Sequence, residues 1–238
     1  MSFAAAPALL AALRDADLLA AVAAPAGGRP PRAVTADREL AREVARGLPL
    51  RAAGVPGAAE RALATAWLSA SHARVRAASR AVPASRWRVG APGRWSAAQV
   101  VEHLVRTERI VLAFVRGPLL EAPRELALLV GSDAALVERL ADRSRGQRCP
   151  EGLAPAEGGV VGASWRAPAP LLDAFEAARA ATIACARTTE EPLRTHAAPH
   201  PELGLLDGWQ WILFLAAHAD RHAAQLWELA RTEPRLAA

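Results

Sequence analysis

The sequence predicts an all-α protein, and three features carry that prediction. The stretch from Trp209 to Glu228 contains no Gly or Pro and is rich in Ala and Leu, so it reads as one long helix. Ser96, followed three residues later by Gln99 and then by an apolar run from Val100, has the form of a capping box that opens a second helix. No segment shows the alternation of β-branched residues that marks a strand.

The chain has 238 residues, enough for one large domain or a medium domain with an extension. Its net charge is +5, and the 29 basic residues are all Arg; Lys, Asn and Tyr are absent. We read this as a biased composition. The Arg residues are scattered among Asp and Glu with no run and no aromatic–basic stripe, so no nucleic-acid partner is expected. No apolar window reaches the length that spans a bilayer, and no membrane association is expected. Cys149 and Cys185 are too few for a disulfide framework, which points to a cytoplasmic protein with free thiols. Cys149 falls in a Gly- and Pro-rich loop, and Cys185 reads as a small core residue of an Ala-rich helix.

Taken in order, residues 1–57 form an N-terminal arm, with short helical stretches at 5–24 and 37–46 around a breaker segment of Pro and Gly. A signal peptide is rejected there, because the start is not basic and Arg14, Asp15 and Asp17 interrupt the apolar run. Residues 58–238 form the domain. Ala58 to Val82 is its first helix, with Leu63, Trp67, Ala70 and Arg74 at helical spacing, stopped by Pro83. The second helix runs from about Ser96 to Arg116 and ends at Gly117-Pro118. Leu119 to Val130 and Ala134 to Arg143 are extra helical segments that cross between the second and third long helices. Arg145 to Pro170 is a long loop, with Trp165 placed to fold over one end of the bundle. Pro170 opens the third helix, with a core stripe of Leu172, Phe175, Ala178 or Arg179, and Ile183, ending near Thr188. Gly204 permits a tight turn, and Asp207 caps the final helix.

On that final helix His218 and His222 are four residues apart and therefore share a face, with Gln225 on the same stripe. Trp211, Leu215, Leu226 and Leu229 lie on or beside it. Two imidazoles on an apolar face each need a polar partner, and a shared metal supplies one. The protease-type zinc helix is excluded: Ala219 stands where that motif has its general-base Glu, and Asp220 points away from the histidine face. A catalytic metal needs a third ligand, and His72, His103, His196 and His200 remain. His103 is favoured, because it sits about two turns into the second helix with Val100, Leu104, Thr107 and Val111 on its face. His72 reads as a surface or hydrogen-bonded residue, and His200 as a packing residue in a turn.

Trp95-Ser96 eight residues before His103-Leu104, the turn His200-Pro201-Glu202-Leu203-Gly204, and His218 with Arg221-His222 and Gln225 form an ordered set. In these motifs, from about Ala58 to the C-terminus, the chain resembles the DinB/YfiT-like metal-binding helical bundles. The resemblance implies an up-and-down four-helix bundle, often a homodimer, with His103, His218 and His222 as metal ligands. Zn is the expected divalent metal, with Ni, Fe or Mn as alternatives. It also implies relatives that are metal-dependent transferases of a low-molecular-weight thiol such as bacillithiol, mycothiol or glutathione, acting on a small electrophile. In that reading Gln225 and Gln99 orient ligands, and Arg106 and Arg221 supply charge for an acidic thiol. The alternative is a metal-binding or structural bundle without catalysis, related to stress.

Overall fold

The computed structural model describes residues 53–90, 93–122, 124, 127, 130–141, 149, 154–157 and 159–231. The arm expected over 1–57 therefore lies almost wholly outside the described residues. Among the described residues the order is α1 (Ala58–Ala81), α2 (Ala97–Val115), α3 (Asp133–Ala141), α4 (Pro168–Thr188), β1 (Ala197–His200), β2 (Gly204–Asp207) and α5 (Gly208–Arg231).

Two of the long helices start where their caps predict. Ser96 Oγ accepts from Gln99 N at 3.3 Å, and Gln99 Oε1 accepts from Ser96 N at 2.8 Å, so two donors at the start of α2 are satisfied reciprocally. Asp207 and Gln210 repeat the device at α5, where Asp207 Oδ1 accepts from Gln210 N at 2.7 Å. Gly208 opens α5 because nothing larger fits: a Cβ there would stand 2.9 Å from both Leu193 O and Leu119 Cδ2.

Two apolar clusters fill the four-helix bundle. One joins Ala64, Trp67 and Leu68 of α1, Val111 and Val115 of α2, Ala186 of α4, and Trp209 and Trp211 to Ala217 of α5. The other joins Val75 and Ala78 of α1, Val101 and Leu104 of α2, Leu171 and Phe175 of α4, and Ala219, Ala223 and Leu226 of α5. These pairings give the directions. Early α1 meets early α5 and early α2 meets early α4, whereas early α2 meets late α5. The long helices thus run up, down, down and up, and the crossover through α3 is what lets α2 and α4 run the same way.

Several local expectations are revised. No strand was expected, yet Ala197–His200 and Gly204–Asp207 pair antiparallel. Turn chemistry makes this hairpin. Gly204 takes φ +83°, and His200 Nδ1 accepts from Glu202 N at 3.1 Å. The third long helix begins at Pro168 rather than Pro170, since both prolines fall in a first turn whose N–H groups have no helical partner. Its buried stripe runs through Thr182 and Ala186, leaving Ile183 half-buried. The helix expected from Leu119 is a 3-10 turn, Pro118–Glu121, which Ala122 ends in extended backbone. Cys185 is half-buried rather than a core residue. Trp165 packs against the second cluster, and its carbonyl accepts from Trp87 Nε1 at 3.2 Å.

One buried cation ties the bundle's end together. The fully buried Arg194 contacts Glu60, Asp133 and Asp207, each less than a tenth exposed. These carboxylates sit at the N-termini of α1, α3 and α5. Each helix start adds roughly half a positive charge, which offsets most of the excess negative charge that one Arg leaves. Burial disfavours the Arg194 charge, but Asp133, Asp207 and Glu60 more than compensate and raise its pKa. Arg194 N also donates to Gly54 O at 3.0 Å, so the domain's packing begins ahead of α1.

Candidate metal centre

His103 on α2 and His218 and His222 on α5 converge. Their exposures are 3%, 8% and 9%. Nε2 of His218 lies 3.1 Å from Nε2 of His103 and 3.1 Å from Nε2 of His222. One ligand atom from each of the three lies within 4.8 Å of the others. His222 Nδ1 donates to Gln225 Oε1 at 2.8 Å, which leaves its Nε2 lone pair facing the cluster. Burial first, then His222, His103, His200 and Arg221, holds His218 well below the usual histidine range, so it is neutral near pH 7. Neutral imidazole nitrogens turned toward one another at this distance repel unless a proton or cation lies among them. A divalent ion at about 2.0–2.1 Å from each nitrogen holds tetrahedral ligands about 3.3 Å apart, close to the spacing seen. The residues present therefore fit a divalent metal.

The surroundings hold these rings in place. Asp220, between the two α5 histidines in sequence, faces away from them as expected. It accepts from Trp67 Nε1 at 2.8 Å and from Arg74 Nε and Nη2 at 2.7 Å, which fixes the rotation of α5 against α1. Trp95 lies over His103 at 4.9 Å between ring centroids and stacks on His222 at 6.3 Å. Phe214 stacks on His218 at 4.9 Å.

Of the further residues expected at the site, Gln225 meets His222. Gln99 does not: its oxygen closes the α2 cap, and Nε2 donates to Glu157 at 3.1 Å. Arg221 Nη1 donates to Leu140 O at 3.2 Å, joining α5 to the end of α3. Arg106 lies close enough to Cys149 to oppose the upward push that burial gives that thiol. Cys149 itself is the main residue the sequence reasoning missed here, with Sγ 3.7 Å from His103 Nδ1. Its position in a loop far from His103 in sequence carried no signal. Trp95 and Phe214 were within reach of it, one preceding the α2 cap and the other one turn before His218.

His72, His196 and His200 stay outside the convergent group. His72 packs on Phe175 at 5.4 Å. His196 Nδ1 donates to Ala122 O at 3.0 Å. His200 packs against Trp211 at 5.1 Å and Phe214 at 5.0 Å. His72 and His200 are both pulled down to about 4, by burial first and then by Arg179 and Arg139 respectively. Unfolded, each titrates near 6.5, so between about pH 6.5 and 4 the unfolded chain binds more protons. The metal-free protein should hold its full stability from these groups above about pH 6.5 and lose it progressively toward pH 4. Urea midpoints measured across that range check this.

The bundle turns three imidazoles from two facing helices onto one point, an arrangement compatible with metal binding. The model of the DinB superfamily matches residues 68–226, and the chain belongs to that superfamily. The match includes all three histidines. No curated protein and no solved structure matches the chain. Among the described residues, no helix is long and apolar enough to cross a membrane.

Proposed function

We propose that this protein binds one divalent metal through His103, His218 and His222 and uses it to transfer a low-molecular-weight thiol to a small electrophile. The convergence of three Nε2 atoms carries the metal part of this reading. Zn is the first expectation, with Ni, Fe or Mn as alternatives, since an all-imidazole set selects weakly among them. When bound, such an ion lowers the pKa of a coordinated thiol or water toward neutrality. The protein's own part is orientation and exclusion of water. Gln225 fixes the His222 tautomer, Trp95 covers two of the rings, and Asp220 holds the helix. In the transfer, the thiol loses its S–H proton, its sulfur bonds to the electrophilic carbon, and the leaving group departs with its electron pair. A cytoplasmic location suits the two free thiols.

The depth of the three rings favours a second reading, a non-catalytic metal-binding bundle. Access separates the two. Protein loaded with cobalt and titrated with glutathione should develop thiolate-to-metal absorption, and the zinc form should accelerate glutathione addition to chlorodinitrobenzene. Metal-loaded protein that shows neither effect would leave the non-catalytic reading. Replacing Gln225 with Ala should weaken zinc affinity about 10–100-fold, measured by chelator competition.

A further inference from the structure

Beside the histidines, on the side of His218, four rings form a connected group. Phe114 meets Trp211 at 5.4 Å, Trp211 meets Phe214 at 5.8 Å, and His200 touches both. Phe214 continues the group to His218. Phe114 and His200 are half-buried, while Trp211 and Phe214 are 8% and 5% exposed, so the rings lead from the surface to a proposed ligand. In a chain with seven Trp, four Phe and no Tyr, whose cores are built largely of Ala, Leu and Val, this concentration calls for an explanation.

The polar atoms supply one. Buried indoles ordinarily find a hydrogen-bond partner. Trp67 Nε1 donates to Asp220 and Trp87 Nε1 to Trp165 O. Trp211 Nε1 is buried and has no partner among the described residues. Thr107 Oγ1 is a second such atom, one turn beyond His103 on the same face of α2. Because α2 and α5 run antiparallel, Thr107 and Trp211 both lie on the side of the histidines toward the end of α2 and the start of α5. An unmet buried donor is unfavourable, and an acceptor that arrives with a ligand recovers the loss. His200 Nδ1 accepts from Glu202 N, so its neutral ring keeps the proton on Nε2 and can also donate.

We propose that the rings of Phe114, His200, Trp211 and Phe214 seat the electrophile, a flat conjugated molecule whose oxygen accepts a hydrogen bond from Trp211 Nε1. This rests on the thiol-transfer reading of the histidine centre and names its acceptor class. Unreactive probes test it: acetophenone carries ring and carbonyl, and ethylbenzene has the same shape without the acceptor. In proton–nitrogen spectra of the full chain, acetophenone should move the Trp211 indole resonance, assigned by its loss in Trp211→Phe. Trp211→Phe should bind acetophenone about tenfold more weakly and ethylbenzene unchanged, as expected for one lost hydrogen bond. An unmoved Trp211 resonance at millimolar acetophenone, or equal acetophenone affinity in Trp211→Phe, overturns the proposal and makes the rings core packing. Metal content measured on the same samples keeps the two ideas apart. Protein that takes up none of the offered metals yet still shifts Trp211 removes the transfer reading and keeps the ring site. Metal-loaded protein without the shift does the reverse.

Discussion

Replacing Arg194 with Met should cost about 3–5 kcal/mol of folding stability, the range for removing one partner of a buried ion pair. The variant keeps an aliphatic side chain but leaves Glu60, Asp133 and Asp207 facing one another in the protein interior. Burial already pushes the Asp207 carboxyl up, and Arg194 is the main influence opposing it. Without the guanidinium, those carboxyls must take up protons or separate, and separation undoes the starts of three helices together. Arg76 provides the contrast. Its contact with Glu176 is 2.6 Å long, yet the two side chains are 34% and 52% exposed. Water and salt screen that pair, so Arg76→Ala should cost no more than about 1 kcal/mol. Urea denaturation of the two variants beside the parent makes the comparison. Similar losses in both would refute the role given to the Arg194 cluster.

The other large effect concerns His218, whose Nε2 is within 3.1 Å of both other histidine nitrogens. A metal that binds only the folded state stabilises it by about 4 kcal/mol at a thousandfold excess over its dissociation constant. In a domain of this size that is a rise of roughly 10 °C in melting temperature. His218→Ala should abolish the rise, because the two remaining imidazoles leave the coordination shell incomplete. The informative quantity is the difference with and without zinc in each protein. The mutation itself opens a cavity and removes an unfavourably buried imidazole, and both effects cancel in that difference. A variant stabilised by zinc as much as the parent would show that the metal binds elsewhere.

The parts of this molecule that were legible in its sequence are those governed by short spacing. His218, His222 and Gln225 follow from helical periodicity alone, and the α2 start follows from Ser96 and Gln99. The ends of the first two long helices follow from Pro83 and Gly117-Pro118, and the start of the last from Asp207. What stayed hidden depends on contacts between distant segments. Arg194 looked like any other Arg, because its three carboxylates lie 13, 61 and 134 residues away in sequence. Cys149 meets His103 only through the crossover. The hairpin before α5 has no β-branched residues, so its turn, not strand propensity, creates the pairing. The same-direction run of α2 and α4 depends on how the crossover travels, which periodicity does not encode.

The most direct test of the central claim is the metal content of purified protein by mass spectrometry, beside His103→Ala. That substitution removes the only one of the three histidines that α2 contributes, and leaves the α5 pair intact. The account predicts about one equivalent of divalent metal per chain in the parent and essentially none in the variant. A parent that is metal-free and takes up neither Zn, Ni, Fe nor Mn when offered them, or a variant that retains its full equivalent, would contradict it.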